Sequence, residues 1–335
     1  MAKKMTGKCC TPPAQQALRR KMVILPLIVL GICGTYLMIN THPEKPKLFG
    51  YILSLRIPTL AAMLTAAAAI GSATVVFQTI IHNRIVTPCL LGMNSMYTLV
   101  HTAVVFAAGS GSLLASNSKL AFVVDLLVMA VSATVVYGWL FKKMGSHVLY
   151  VLLIGTVLSS FFGSIQSAMI RVMDPNAYDA LLTTLVADFN NVNAGVIVFS
   201  SILLAALGGI LRKDLMLLDV ISLGKDQAIN LGIDYDRTVR RLLLGVVFCI
   251  SIATAMVGPI SFLGLIIANL ARQLMKTHRH RCLIPAAVWL GMLAMIGGQL
   301  ISQHVFHYSV PVSTFITIGG GIYFLYLLLI RKGGI

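Results

Sequence analysis

A run of small and hydroxylated residues, Gly155, Thr156, Ser159, Ser160, Gly163, Ser164 and Ser167, recurs at helical spacing inside an otherwise apolar stretch. Side chains three and four apart share a helix face, so these seven present one surface that is small and weakly polar. Two readings of it stand together. Small residues let a neighbouring helix approach closely in lipid; the same face can also wall a path wet enough for a polar solute, without strong ligands that would trap it. Bond-making chemistry is less well served. The chain has no G-x-x-x-x-G-K-[ST] phosphate loop, so it is not itself a nucleotide hydrolase. It also lacks H-E-x-x-H and G-x-S-x-G, and Ser116-Asn117-Ser118-Lys119 fits S-x-x-K only in a loop. His304 and His307 lie one turn apart beside Tyr308, and His278 and His280 share a basic loop. Neither pair has the carboxylate or thiolate partners of a metal site, so both read as solvated. Cys9, Cys10, Cys33, Cys89, Cys249 and Cys282 show no paired metal spacing, and no metal site is expected. Asn190, Asn191 and Asn193 read as turn and cap residues or as contacts for a polar solute.

The elements that position these residues are membrane helices. Of 335 residues, 58% are hydrophobic and only 11% charged, against about 25% charged in a soluble domain; the mean hydropathy is +0.89. Apolar runs near the ~20 residues needed to cross the hydrocarbon fall at 22–39, 57–76, 88–108, 120–141, 148–172, 194–211, 240–257, 259–275, 282–302 and 311–330. Unpaired backbone is costly in lipid and no run alternates as a strand would, so the expected fold is all-α. It is a polytopic bundle of about ten transmembrane helices over residues 22–332, preceded by a flexible tail, 1–21.

Charge position supplies the orientation. The formal charge is +16, and 21 of the 26 Lys and Arg residues fall on one side when the N-terminus is placed inside. They are six before Met22, Arg84, Lys142 and Lys143, six in 212–241, four in 272–281, and Arg331 and Lys332. Lys45, Lys47, Arg56, Lys119 and Arg171 remain outside. Positive residues stay cytoplasmic, so both termini are expected inside, and the basic character reports topology rather than nucleic-acid binding. The first span follows a basic tail, but it is long for a signal core, and Ile32 precedes Cys33 where a lipoprotein signal needs a small residue; it reads as a retained helix. No acidic residue lies mid-span, Asp125 falling near an outer end. Intramembrane ionisable groups mark ion relays, so an ion-coupled carrier is disfavoured and energy must enter from elsewhere.

Residues 212–241 form the one sizeable cytoplasmic surface. Within them, Lys225, Asp226, Gln227, Ala228, Leu231, Gly232 and Ile233 mark a short helix that Gly232 ends in a left-handed conformation, a knob suited to docking on a soluble partner. Pro88 and Gly92 open the third span, and Gly258, Pro259 and Gly264 open the eighth. Helices five apart run in opposite directions, so the pair is compatible with an inverted repeat.

Leu55-Arg56-Ile57-Pro58, Pro88-Cys89-Leu90-Leu91-Gly92, Leu223-Gly224 through Leu231-Gly232-Ile233, and Gly258-Pro259-Ile260-Ser261-Phe262-Leu263-Gly264-Leu265 together resemble one family. It is that of FecCD-type permease subunits of ABC importers for ferric siderophores, haem and cobalamin. The resemblance covers nearly the whole chain after residue 50. It implies a bacterial cytoplasmic-membrane permease, not an enzyme, paired with a second permease subunit. It implies two cytoplasmic ATPases that hold ATP and Mg, an external substrate-binding protein, and no cofactor on this chain. Lys225–Ile233 would contact the ATPase, and Arg56, helped by Lys45 and Lys47, would receive acidic residues of the binding protein. Thr59 stands where the family has a second outer arginine, and Ser302 or Gln303 where it has another. The string Phe189-Asn190-Asn191-Val192-Asn193 is similar to a siderophore subgroup, which makes a ferric siderophore the expected cargo, with haem and cobalamin as alternatives.

Overall fold

A computed structural model describes residues 12–39, 46–108, 118–144, 148–190 and 192–331. Cys9, Cys10, Lys45, Ser116, Asn117, Asn191 and Lys332 lie outside the described residues. The chain runs α1 (Pro12–Met38), α2 (Pro46–Ile80), a 3-10 turn (Pro88–Leu91), α3 (Met93–Ala108), α4 (Ser118–Met144), α5 (Val148–Val172), α6 (Pro175–Leu185) and α7 (Ala194–Ile210). It continues through α8 (Arg212–Met216), α9 (Leu218–Ile221), α10 (Lys225–Asn230), α11 (Tyr235–Val257), α12 (Leu263–Met275), α13 (His280–His304) and α14 (Val312–Arg331). Each of the ten expected spans coincides with a helix. Among the described residues six are long and apolar enough to cross a membrane, and Ala194–Ile210, Leu263–Met275 and Val312–Tyr326 are shorter apolar stretches.

Three boundaries differ from expectation. α1 begins at Pro12, inside the stretch read as a tail, because Ala14-Gln15-Gln16-Ala17-Leu18-Arg19-Arg20 are strong helix formers. Lys21, in the third turn of that helix, donates through Nζ to Leu274 O at 2.7 Å. α2 begins at Pro46, so Lys47 and Arg56 ride on a helix rather than a loop. Its 35 residues reach roughly 52 Å at 1.5 Å per residue, well beyond the ~30 Å hydrocarbon. The loop expected at 173–193 contains α6, whose N-terminus Asp174 caps by accepting from Asn176 N.

α2 is the mast of the bundle, most of its length being buried, whereas α1 and α5 are largely exposed. Its buried face is alanine-rich (Ala62, Ala66, Ala67, Ala69, Ala73) and packs closely on α13. The fit depends on absent side chains there too: a Cβ on Gly71 would meet Val288 N at 3.3 Å, and one on Gly291 would meet Ala67 Cβ at 3.2 Å. Small-to-small contacts give van der Waals packing where lipid supplies no other drive.

Two helices start inside the protein. α3 and α12 have 16 and 13 residues, roughly 24 and 20 Å, too short for the hydrocarbon. Each follows a left-handed residue, Gly92 (φ 92°) or Phe262 (φ 61°). Irregular backbone is tolerated at depth only where protein buries it, and Leu91 and Ile260 are each 1% exposed. Tyr137 donates to Leu91 O at 2.9 Å, and Asn94 Nδ2 donates to Ser261 Oγ at 3.2 Å, joining the two helix starts. The motif residues fit this geometry. A Cβ on Gly264 would collide with Thr74 Oγ1, and one on Gly258 (φ 89°) would sit 3.0 Å from Ala187 Cα. Pro88 opens the 3-10 turn, where its missing N–H costs nothing.

Candidate functional site

Three regions hold the residues singled out by sequence. The first is the segment between α7 and α11, folded as three short helices. α10 closes with Gly232 at φ 80°; Gly232 N donates to Ile229 O at 2.8 Å and Ile233 N to Ala228 O at 3.1 Å. This is the Schellman pair of bonds that the glycine permits. Lys225 Nζ donates to both Asp236 carboxylate oxygens (2.9 and 3.1 Å), pinning α10 to the start of α11. That hydrogen bond first, and the carboxylate charge second, hold the Lys225 ammonium above its ordinary pKa. The pair is exposed and screened by salt.

One expected contact residue lies elsewhere. Ala228 is 0% exposed and packs inward with Leu218 and Ile221 as the segment's own anchor, so it presents nothing to a partner. Exposed apolar surface comes instead from Leu231 (62%), Leu223 (53%) and Ile229 (50%), flanked by exposed Asp226, Gln227 and Gly232, with Ile233 half-buried.

The second region is the α5 face, which the structure divides. Gly155 is buried and Ser159 half-buried against the 3-10 turn; a Cβ on Gly92 would meet Ser159 Oγ at 2.8 Å and Gly155 O at 3.3 Å. Thr156, Ser160, Ser164 and Ser167 are exposed, and a Cβ on Gly163 would meet open space. The hydroxyls donate back to the helix, Ser164 to Ser160 O and Ser167 to Gly163 O, both at 2.8 Å. This second edge is therefore smooth and internally satisfied.

The third region is a cavity of about 630 Å³ at the opposite end of the bundle, lined by Arg56, Thr59, Asp188, Asn190, Ser302 and Tyr308 among others. It gathers Arg56 with two positions, Thr59 and Ser302, that sequence comparison marked as departures from outer arginines. Arg56 is only 8% exposed. Its Nη1 donates to the carbonyls of Tyr36 (2.8 Å), Leu37 (3.2 Å) and Ile39 (2.6 Å), and the guanidinium lies over the Tyr36 ring. A cation on terminal carbonyls is favourable at a helix C-terminus, so Arg56 caps α1 while lining the cavity. Lys47 is exposed. Arg56→Ala is expected to lower stability by about 2–3 kcal/mol, the scale of lost hydrogen bonds to a charged group, whereas an exposed docking cation would cost almost nothing. Denaturation in detergent checks it.

Sequence reasoning missed two buried arrays. His101 Nδ1 lies 2.6 Å from Asp125 Oδ2, and its Nε2 lies 2.8 Å from Thr184 Oγ1. His101 and Asp125 are 8% and 3% exposed, and Tyr97 stacks on the imidazole. The array ties α3, α4 and α6 together. A signal for it existed: α3 and α4 are consecutive, and residues 101 and 125 are equidistant from residue 113, where an antiparallel helix pair sets partners side by side. The other concerns His280, expected to be solvated but 3% exposed. It bonds Asp219 and Thr79. Burial alone would raise the Asp219 carboxyl, but the backbone N–H and ring of His280, with the charges of His280 and Arg279, leave it below its ordinary pKa. No cluster of three or more His, Cys, Asp or Glu suited to a metal occurs among the described residues.

Residues 22–330 match the model of the FecCD transport family. The chain belongs to that family. The petrobactin import system permease protein YclO of Bacillus subtilis is 39% identical over 314 residues, 93% of this chain and 98% of that protein. FatC of Bacillus anthracis, also a petrobactin import system permease protein, is 32% identical over 325 residues, 95% of this chain and 91% of its own. Among solved structures, an inward-facing metal-chelate type ABC transporter has the same fold (TM-score 0.79, 21% identity), covering 93% of this chain and 99% of that one. This FecCD protein is thus an ABC importer permease, a transport component rather than an enzyme, in a family that works with ATPase and substrate-binding partners.

Proposed function

We propose that this permease carries a ferric siderophore of the petrobactin kind inward across the cytoplasmic membrane, as one of two permease subunits served by two ATPases. The observation that carries the reading is the 39% identity to YclO over almost the full length of both chains. The basic end, holding Arg212–Arg241 and both termini, faces the cytoplasm, and ATP and Mg are held by the ATPases there. The ATPase contact is the exposed apolar set Leu223, Ile229 and Leu231 with Asp226 and Gln227, while Ala228 and Gly232 keep the knob in shape. The binding protein docks over the cavity lined by Arg56, Thr59 and Ser302, and Arg56, helped by Lys45 and Lys47, receives its acidic residues. The exposed edge of α5, Thr156, Ser160, Ser164 and Ser167, lines the path against the second permease. The iron stays inside its chelator, so the protein needs no iron ligands.

Cells lacking the endogenous permease and supplied with this chain and its own partners should import 55Fe-labelled ferric petrobactin, with unlabelled ferric petrobactin competing and haem or cobalamin not. Import of haem or cobalamin in its place would overturn the cargo. Leu231→Glu should abolish uptake while the variant still inserts, because an unpaired carboxylate in a packed contact costs several kcal/mol. Normal uptake in that variant removes Leu231 from the ATPase contact.

A further inference from the structure

Asp219, His280 and Thr79 lie on three elements far apart in sequence and converge at the basic end. Asp219 Oδ1 accepts from His280 N at 2.9 Å and from the His280 ring Nδ1 at 2.6 Å; the other ring nitrogen, Nε2, lies 2.8 Å from Thr79 Oγ1. Asp219 belongs to α9, His280 opens α13, and Thr79 is the penultimate residue of α2, the mast.

Each bond does something the others do not. The residue preceding α13, Arg279, makes no side-chain cap. Asp219 supplies that cap from another element, placing a negative charge where the helix dipole favours one. The imidazole is bonded at both nitrogens and so cannot rotate without breaking one contact. Thr79 is itself anchored, its hydroxyl lying 2.8 Å from Val75 O one turn back along α2. The apolar anchors of the same segment, Leu218 and Ile221, are fully buried but non-directional. They resist removal of the segment from the bundle and permit it to slide. The hydrogen-bonded array forbids sliding.

We propose that Asp219, His280 and Thr79 form the rigid link through which movement of the segment between α7 and α11 is passed to α2 and α13. The proposal rests on the reading of that segment as the ATPase contact. It makes all three positioning residues, since none touches cargo or nucleotide.

The test uses the complete complex, with its ATPase and binding protein, in liposomes, measuring ferric petrobactin imported and ATP hydrolysed in the same vesicles. Thr79→Val keeps the shape and removes the hydroxyl; Asp219→Asn keeps an acceptor and removes the charge. Each should lower import per ATP at least about fivefold, the lower end of site-to-site coupling, in fully assembled complex. The double variant should fall no further than the worse single one, as members of one link are not additive. Thr79→Ser, which keeps the hydroxyl, should restore the ratio. An unchanged ratio in Thr79→Val, additive losses, or loss of assembly in all three variants would each overturn the link, the last by assigning a structural role. Leu231→Glu, run in parallel, separates the two ideas: normal coupling in that variant discards the ATPase contact itself. Should wild type import no ferric petrobactin, the cargo reading fails alone. The link is then read from the stimulation of ATP hydrolysis by the binding protein, which the variants should blunt.

Discussion

Asp125→Ala is expected to destabilise the protein by about 3–5 kcal/mol, the cost of breaking a buried pair from one side. His101 would keep its bond to Thr184 and lose the carboxylate 2.6 Å from Nδ1, in a site where both residues are nearly inaccessible. The reciprocal His101→Phe should cost as much, because it leaves the buried Asp125 side chain without its partner. Asp125→Asn should cost less, since an amide oxygen can still accept from the ring. Joint replacement, His101→Leu with Asp125→Leu, should be far milder than either single change, as it leaves no buried polar group without its partner. Denaturation in detergent, run as a double-mutant cycle, measures this. Additive losses would show that the pair is not coupled and that α3, α4 and α6 are held by apolar packing alone.

Which features were legible from sequence follows from how local their causes are. Gly232 was legible because a left-handed helix end is a property of one residue and its immediate neighbours, and the backbone adopts it as expected. The positions of the ten spans were legible because hydrocarbon thickness imposes a length on each. The role of Ala228 was not. Its place on the inward side of α10 depends on how a six-residue helix rolls onto Leu218 and Ile221, which no periodicity within so short an element reveals. Arg56 illustrates the same limit. Sequence shows a cation near a helix start; only tertiary structure shows that the end of α1 arrives beside it with three carbonyls that accept from it. His280 looked solvated because it shares a basic stretch with His278 and has no carboxylate near it in sequence; its partner Asp219 comes from an element 61 residues away, and the side chain turns inward.

Placing leucine at Ser159 and at Ser164 should give opposite results from one helix. Ser159 packs against the turn that ends at Gly92, so closely that even a Cβ on that glycine would come within 2.8 Å of its hydroxyl. Gly92 holds φ 92°, a conformation that other residues rarely adopt, so the turn cannot give way cheaply. Ser159→Leu should therefore cost about 1–3 kcal/mol by overpacking, or more, and reduce the amount of folded permease. Ser164 is exposed and its hydroxyl bonds only its own helix, so Ser164→Leu leaves this chain's interior untouched. Folded permease and assembled complex should be recovered in wild-type amounts, while import falls at least tenfold because three added carbons occlude a path walled by small side chains. Ser164→Ala, nearly equal in volume and already supplied with no outside partner, should transport normally. The readouts are complex recovered after detergent extraction and ferric petrobactin uptake. If Ser164→Leu instead prevents assembly, the exposed edge of α5 is a packing surface against another helix, and the path must be sought elsewhere on the chain.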